Sequence, residues 1–259
     1  MSETKCISCG LCVKVCYSKA VDIASGSPVI DESKCNLCDH CAAICPTDAI
    51  EVSALPLGPL AGAPFEADEA ERFLRYARSV RFYKPDLIGC EDMTKLINIG
   101  RYAQTASNTQ GISYMVVEGR DKVIKLADLL CEVYETLAKD DPDLAWVAPR
   151  VADYKSGNDC ILRGAPELIL ALSENGVRRR QNAQYSLTFI ALLAPSMGIG
   201  TCWAGIFERF ICHEVYGKPF REHLGLPEGT FVDGALMVGY PDVTFRRLAE
   251  RNPLKLDWF

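Results

Sequence analysis

The sequence has no excess of positive charge. Its 28 lysine and arginine residues are outnumbered by 34 aspartate and glutamate residues, which gives a formal net charge of -6 at pH 7 over 259 residues. Proteins that bind nucleic acid through its phosphates concentrate lysine and arginine on one surface. The charge balance therefore argues against nucleic acid as a partner.

Several nucleotide-binding and catalytic motifs are also absent. No G-x-G-x-x-G follows an apolar segment, because Gly198 and Gly200 continue to Gly205 with the wrong spacing, and no G-x4-G-K-S/T occurs. The G-x-S-x-G turn of serine hydrolases is missing, and the three histidines do not suggest a catalytic triad. These absences exclude a Rossmann dinucleotide site, a P-loop and a nucleophile elbow.

Residues 185–207 form an uncharged stretch that is long enough to cross a membrane. Because Pro195 and several glycines interrupt it, we expect a buried apolar helix that stops and continues as a strand, and no membrane span. A helix that is apolar on all faces must be covered on every side, and a dimer interface is one way to cover it. The first five residues lack the apolar core of a secretory signal, so we expect a cytoplasmic protein.

Cysteine, by contrast, is abundant. Eight of the 13 cysteines lie in the first 46 residues and form two runs with the spacing C-x2-C-x2-C-x3-C. The runs are offset by 29 residues, and the match extends to flanking positions such as Ala20 with Ala49. This agreement indicates an internal duplication. The first run is Cys6, Cys9, Cys12 and Cys16, and the second is Cys35, Cys38, Cys41 and Cys45.

This spacing is typical of 4Fe-4S clusters, in which three cysteines of one run bind a cluster and the fourth binds the other cluster. The segment resembles the bacterial two-cluster ferredoxins, although Tyr17 stands where a proline would follow the first run. Zinc sites use more widely separated C-x2-C pairs, and a disulfide framework needs an oxidising compartment. We therefore expect two 4Fe-4S clusters with exchanged fourth ligands, one bound by Cys6, Cys9, Cys12 and Cys45 and the other by Cys35, Cys38, Cys41 and Cys16.

The rest of the chain is long enough for a second domain with its own core. We predict a ferredoxin-like domain over residues 1–53, a linker rich in proline and glycine over 54–65, and a larger domain over 66–259. Helical and strand-like patterns alternate in the larger domain, which predicts an α+β fold, a sheet with helices packed on it. The predicted helices cover 66–78, 92–105, 121–139, 176–196 and 207–224, and the predicted strands cover 20–23, 49–53, 112–117, 167–173 and 231–239. Residues 198–207 are predicted as a turn and a strand, and 140–159 as a loop or an excursion of short helices.

Arginines occur in two short motifs of the larger domain. Arg78, Ser79 and Arg81 belong to the sequence Arg-Ser-Val-Arg, and Arg247 and Arg251, with Arg246 as a further candidate, lie near the end of the chain. The first motif resembles the R-S-x-R motif of the FMN-dependent nitroreductase family, and the second resembles that family's tail arginines. In the family both motifs hold the FMN phosphate, which suits guanidinium groups because they form forked, charge-assisted hydrogen bonds.

Two further segments carry the same resemblance. The loop with Ser107, Asn108 and Gln110 resembles the family's P-S-x-x-N-x-Q segment, whose polar groups meet the flavin ring, although it lacks the proline and is shorter. Residues 198–205 resemble the segment that passes beside the isoalloxazine and donates a backbone N–H to flavin N5. Small residues there let the main chain approach a flat ring. The residues that the resemblance places at the ring in this segment are Cys202, Trp203, Ala204 and Gly205.

The resemblance implies an FMN-dependent oxidoreductase that has no catalytic side chain of its own and forms a homodimer with the flavins at the subunit interface. Together with the clusters, it implies electron transfer between 4Fe-4S clusters and FMN, because a flavin can exchange single electrons and hydride equivalents. We expect the acceptor to be a flat small molecule such as a nitroaromatic or a quinone. The expected donor is ferredoxin or NAD(P)H.

Two alternatives stay open at this point. In one, the protein is an electron carrier whose FMN relays electrons to a protein partner. In the other, the flavin oxidises a substrate and the clusters deliver the electrons to a soluble ferredoxin. The sequence does not fix the direction, because cluster potentials depend on hydrogen bonding and solvent exposure.

Overall fold

The computed structural model describes residues 5–51, 58, 62, 65–174 and 179–259. The chain divides into two compact units. The first comprises Met1–Pro64 together with Thr105–Thr109, and the second comprises Phe65–Gln104 and Gln110–Phe259. Most of the predicted linker over 54–65 lies outside the described residues, so the predicted domain boundaries stay a prediction.

The first unit contains two short helices and a β-hairpin. Its described core is small, and a unit of this size usually needs a metal centre or disulfides for stability. The hairpin turn at Ser25 and Gly26 has positive φ at both residues, as a two-residue turn between antiparallel strands requires. The elements are α1 (Leu11–Val15), β1 (Val21–Ala24), β2 (Ser27–Ile30) and α2 (His40–Ala43), and the buried core consists of Cys12, Val21, Cys41, Ala42 and Ile50.

The strand predicted over 20–23 is present as β1, shifted by one residue. The prediction of a strand over 49–53 is wrong for residues 49–51, which form no strand. Residues 52 and 53 lie outside the described part of the chain. The partner of β1 is β2, because the tight turn brings the chain directly back along it.

The second unit is built around a four-stranded antiparallel sheet in the order β3-β4-β6-β5. Every residue of β4 is buried, because helices cover both faces of this central strand. Leu168 and Leu170 point into one core and Ile169 and Ala171 into the other, as the alternation of side chains along a strand requires. The strands are β3 (Ile112–Glu118), β4 (Glu167–Ser173), β5 (Gly200–Trp203) and β6 (Phe231–Gly239).

The α-helices of the second unit, except the first, pack into the two cores on either side of the sheet, whereas the first has no buried residue. The first of them starts at a capping box, in which the side chains of Glu66 and Glu69 bond the backbone N–H groups of each other's residue. The helices are α3 (Ala67–Tyr76), α4 (Cys90–Asn98), α5 (Arg120–Val133), α6 (Ala148–Lys155), α7 (Arg179–Leu193), α8 (Gly205–Ile211) and α9 (Lys218–His223), and single turns of other helix types cover Ile99–Tyr102, Tyr134–Ala138, Pro142–Val147 and Ala194–Met197.

The segment over 140–159 contributes to the core. Leu144, Val147 and Val151 are all buried, so its short helices pack against the rest of the second unit. Of the two predicted forms of this segment, the short helices are present. Their burial was not predictable from the sequence, because their apolar residues follow no extended periodicity.

Helix α7 corresponds to the predicted helix over 176–196, of which residues 176–178 lie outside the described part. The chain leaves the α-helix at Leu193 and makes one tighter turn over Ala194–Met197, which contains the predicted breaker Pro195. The side chain of Leu187 is fully buried, whereas Tyr185 is 57% exposed. Within a single chain α7 is therefore covered on one face only. Across the described residues, no helix has both the length and the apolarity that a membrane crossing needs.

Candidate functional site

A small cavity in the first unit is lined by cysteines from both runs. Cys6, Cys9 and Cys12 of the first run lie around it together with Cys45, the fourth cysteine of the second run. These are the four residues that the sequence predicts as ligands of one cluster. The fold, and not the local spacing, brings Cys45 to the other three.

Cys41 of the second run interacts electrostatically with a cysteine of each run. Burial raises the pKa of the Cys41 thiol, and the neighbouring Cys38 and Cys16 raise this pKa further. Cys16 thus interacts electrostatically with Cys41 of the second run, which agrees with the exchanged ligand set. All eight thiols of the two runs are free, and such a donor set fits iron–sulfur clusters once the thiols lose their protons.

The fourth cysteine of each run accepts hydrogen bonds at its sulfur. The backbone N–H of Ala20 donates to Cys16 Sγ at 3.2 Å, and the N–H of Ala49 donates to Cys45 Sγ at 3.3 Å. The Ser18 hydroxyl lies 3.5 Å from Cys16 Sγ and holds the pKa of that thiol below its ordinary value. The sequence marked the two alanines only as signs of duplication and gave Ser18 no role.

The loop predicted to contact a flavin ring belongs in part to the first unit, which includes Thr105–Thr109. The side-chain amide of Asn108 donates hydrogen bonds to the backbone carbonyls of Asn36 and Leu37, both at 3.0 Å. These bonds use the two amide hydrogens of Asn108, so a flavin contact by this residue would have to use its side-chain oxygen. That contact stays a prediction.

The neighbouring residues Ser107 and Gln110 are exposed. Both have positive φ, 52° and 57°, which is uncommon for residues other than glycine. Neither is among the described residues that line a cavity in the second unit, which Arg78 and Arg247 border. Their predicted contacts with the flavin ring therefore stay predictions as well.

The second unit contains a cavity of about 530 Å³ in which positive charge converges. Arg78 and Arg247, which were predicted to bind a phosphate, line it together with Arg72 and Arg246. None of the lining residues that the structure describes carries a carboxylate. Four arginines without an acidic residue in the described lining have the chemistry that suits an anion with several oxygens, such as a phosphate.

The cavity wall is fixed where the Arg78 segment joins the sheet. The backbone N–H of Val80 donates to the carbonyl of Thr201 at 2.9 Å, which ties the arginine motif to β5. Gly200 is needed at this junction, because a Cβ atom there would lie 2.8 Å from the side chain of Val80. The guanidinium of Arg78 also lies over the ring of Phe245, 5.4 Å from its centroid.

The other predicted phosphate contacts do not line the cavity in the described structure. Ser79 forms an isolated bridge with Thr201, and Arg81 donates from Nη1 to the Ser79 carbonyl at 3.4 Å. Arg251 donates from Nη1 to the carbonyl of Glu250 at 3.4 Å. Arg72 and Phe245 line the cavity but were not predicted from the sequence, because neither belongs to a recognisable motif.

The segment predicted to pass beside the flavin ring ends β5 and begins α8. Cys202 and Ala204 are buried, whereas Gly205 is exposed at the start of the helix. The indole N–H of Trp203 donates to Oε2 of the buried Glu208. Oε1 of Glu208 has no hydrogen-bond partner among the described residues, and burial raises the pKa of this carboxyl. Glu208 thus fixes the Trp203 ring, a role that the sequence did not indicate.

Comparison with known protein families decides what kind of fold carries this cavity. The model of the nitroreductase family matches residues 74–240, which is more than half of the chain. The chain belongs to the nitroreductase family. The match includes Arg78, the whole sheet and α8, whereas Arg246 and Arg247 lie just beyond its end. The predicted α+β fold of the larger domain is confirmed.

Individual relatives agree with this assignment. A protein of Archaeoglobus fulgidus named "Putative NADH dehydrogenase/NAD(P)H nitroreductase" is 26% identical over 174 residues, which are 67% of this chain and 86% of that protein. Nitroreductases with bound FMN from Bacteroides fragilis and Desulfitobacterium hafniense share the fold with TM-scores of 0.57 and 0.57. They are 22% and 16% identical to this nitroreductase, and the matches cover 73% of this chain with 99% and 98% of theirs.

The first unit matches a different family. The model of the 4Fe-4S dicluster domain covers residues 5–49, which include both cysteine runs. This nitroreductase therefore carries an N-terminal 4Fe-4S domain, and the predicted ferredoxin-like fold is confirmed. The protein is an oxidoreductase that combines an iron–sulfur domain with a nitroreductase domain.

Proposed function

We propose that the protein is an iron–sulfur flavoprotein that passes electrons between two 4Fe-4S clusters and FMN and reduces a flat organic acceptor, such as a nitroaromatic or a quinone. The observation that carries the proposal is the cavity in which four arginines meet and no described lining residue is acidic. A cofactor with a terminal phosphate suits that cavity. The crossed sets of cysteines in the first unit suit two clusters.

In this proposal Arg78 and Arg247 bind the FMN phosphate, and Arg246 adds a third positive charge. Guanidinium groups can each offer two parallel N–H donors to phosphate oxygens, which gives both strength and orientation. The ring of Phe245 under Arg78 restricts the movement of that side chain before the phosphate binds. Ser79, Arg81 and Arg251 are proposed as supporting contacts.

The segment with Cys202, Trp203, Ala204 and Gly205 is proposed to border the flavin ring. The contact between Glu208 and the Trp203 indole keeps the end of β5 in one conformation, so that its backbone N–H groups stay oriented. Bound FMN supplies the conversion between single electrons and hydride equivalents. Ser107, Gln110 and the side-chain oxygen of Asn108 are proposed as polar contacts of the ring.

The proposed donor is NAD(P)H or reduced ferredoxin. The name of the Archaeoglobus fulgidus relative includes NAD(P)H, which supports the first, and the N-terminal 4Fe-4S domain supports the second. We propose no catalytic acid or base, because the nitroreductase resemblance demands none.

Anaerobic absorbance titrations of the loaded protein test this function. NADH, NADPH and reduced ferredoxin are added separately, and flavin and cluster bands are followed at their own wavelengths. At least one donor should bleach both sets of bands, and a nitroaromatic or quinone should then restore them. The order of bleaching identifies the cofactor at which electrons enter.

Two results would contradict the proposal. Purified protein that holds iron but binds no added FMN would show that the arginine cavity serves another anion. Loaded protein that reduces a ferredoxin but turns over neither acceptor class would identify an electron carrier. A variant with Cys12→Ala and Cys41→Ala, which removes one ligand from each predicted cluster set, serves as the control without intact clusters.

We also propose that the protein is a homodimer. Three apolar side chains in the last segment of the chain, Leu254, Leu256 and Trp258, are 83%, 58% and 90% exposed, and Tyr185 on α7 is exposed as well. A second copy that covers these side chains would remove a large apolar area from water. Light scattering of the loaded protein should give the mass of two chains, and a mass of one chain would refute this proposal.

A further inference from the structure

Each half of the first unit contains a hydroxyl beside the sulfur of its fourth cysteine. Ser18 Oγ lies 3.5 Å from Cys16 Sγ, and Thr47 Oγ1 lies 3.7 Å from Cys45 Sγ. In each half the hydroxyl residue follows the cysteine by two positions. The residue four positions after the cysteine donates its backbone N–H to the same sulfur, at 3.2 Å in one half and 3.3 Å in the other.

The two contacts occupy matching places in the duplicated sequence, because Ser18 and Thr47 are separated by the same 29 residues as the two cysteine runs. The residue type changes between the halves, but the hydroxyl remains. Thr47 also lines the cavity formed by Cys6, Cys9, Cys12 and Cys45, which places it at one predicted cluster site.

A cysteine bound to iron has lost its proton, so its sulfur only accepts hydrogen bonds. The hydroxyl must then be the donor in both contacts. Reduction adds one electron to a cluster and makes it more negative, and a hydrogen bond to a ligand sulfur stabilises that added charge. The hydroxyl keeps its own proton in both oxidation states, so no proton transfer accompanies the electron.

We propose that Ser18 and Thr47 are positioning residues that raise the reduction potentials of the two clusters through Cys16 and Cys45. This inference rests on the proposed function, because it requires that the cysteines bind two clusters. The exchanged fourth ligands give it a specific form. Ser18 acts on the cluster of Cys35, Cys38 and Cys41, and Thr47 acts on the cluster of Cys6, Cys9 and Cys12.

The test removes each hydroxyl in the full-length, loaded protein. Ser18→Ala and Thr47→Val remove the donor, whereas Ser18→Thr and Thr47→Ser keep it. Ser33→Ala is the matched control, because the Ser33 hydroxyl bonds to Asp31 in the same unit. Iron and labile sulfide are assayed first, and the potentials are then measured by anaerobic titration with dithionite and electron paramagnetic resonance.

In each variant without the hydroxyl, the reduction potential of one cluster should fall and that of the other cluster should stay unchanged. A net hydrogen-bond contribution of ordinary size changes the equilibrium constant by about fivefold, or about 40 mV at 59 mV per tenfold for one electron. The variants that keep a hydroxyl and the Ser33→Ala control should match the wild type. Nuclear magnetic resonance of labelled cysteine β-carbons assigns each shift to a ligand set.

Three results separate the possible failures. Wild-type protein without iron and sulfide would refute the proposed function itself. Fully loaded variants with unchanged potentials would refute the role of the hydroxyls while leaving the clusters in place. Shifts of the same cluster in both variants would refute the exchanged assignment. If an alanine or valine variant does not load, Ser18→Gly and Thr47→Ala provide second variants without the hydroxyl.

Discussion

Replacing Cys12 and Cys45 together should remove one iron–sulfur cluster and leave the other intact, whereas replacing Cys41 and Cys45 together should damage both. The reason is the proposed exchange of the fourth ligand, which would assign Cys45 to the cluster of Cys6, Cys9 and Cys12. The cavity that these four cysteines line supports that assignment. The first pair of substitutions then falls on one ligand set and the second pair on two.

Iron analysis and electron paramagnetic resonance of the reduced proteins measure the outcome. Two 4Fe-4S clusters correspond to about eight irons per chain, so Cys12→Ala with Cys45→Ala should retain about four irons and a single cluster signal. The double variant with Cys41→Ala and Cys45→Ala should retain fewer irons per chain. In both double variants, the magnetic coupling between two clusters should be lost. Both variants lack two thiols, so they control for each other.

Cys90→Ala provides a second control, because this exposed thiol lies outside the two runs. It should leave the iron content unchanged. The reverse pattern, with one cluster retained in Cys41→Ala with Cys45→Ala and damage to both in the other variant, would show that each run binds its own cluster through all four of its cysteines.

The sequence could predict the cluster domain because the necessary information is local. The spacing within each run determines which three thiols share a cluster, and the duplication makes the pattern hard to reach by chance. The hairpin was harder to predict from the sequence. Strand β2 contains Pro28, which weakens a strand prediction, yet a proline is tolerated in a two-stranded hairpin because both of its strands are edges.

The arginine cavity could be predicted only in part. Arg78 and Arg247 belong to motifs that resemble those of a family, and the structure brings both to one cavity. Arg72 lies on α3 in a charged stretch that has the appearance of an ordinary solvent-exposed helix face. Its role in the cavity depends on the path of the tail, and a sequence pattern does not contain that path.

Glu208 and Asn108 show the same limit for polar contacts. A charged residue in the apolar start of α8 could have been noticed, but its partner Trp203 becomes apparent only when β5 and α8 are placed together. The carbonyl groups that accept from Asn108 lie 71 and 72 residues away in the sequence. Backbone acceptors are present at every position, so no residue type marks them in advance.

Replacing Arg78 with alanine should weaken FMN binding strongly, because a charge-assisted contact to phosphate is lost in a cavity with no acidic residue in its described lining. Hydrogen bonds to charged groups contribute about 1.5–3 kcal/mol, which corresponds to a rise in Kd of about 10-fold to 100-fold. Arg78→Lys should fall between the wild type and alanine, because it keeps the charge and loses the forked geometry. Quenching of flavin fluorescence by the FMN-free protein measures each Kd.

Riboflavin, which has the same ring but no phosphate, makes the test specific. If Arg78 acts on the phosphate, Arg78→Ala should bring the affinity for FMN close to that for riboflavin and leave the riboflavin affinity unchanged. Arg75→Ala is the matched control, since Arg75 lies on α3 and pairs with Glu71 and Glu250 at the surface. Equal losses of affinity for FMN and riboflavin would mean that Arg78 supports the fold or contacts the ring. Unchanged FMN affinity would show that Arg78 does not bind the FMN phosphate. The clusters and the flavin occupy separate sites in the proposal, so the iron content of every variant should equal that of the wild type. A change in FMN affinity can then be assigned to the arginine and not to loss of the iron–sulfur domain.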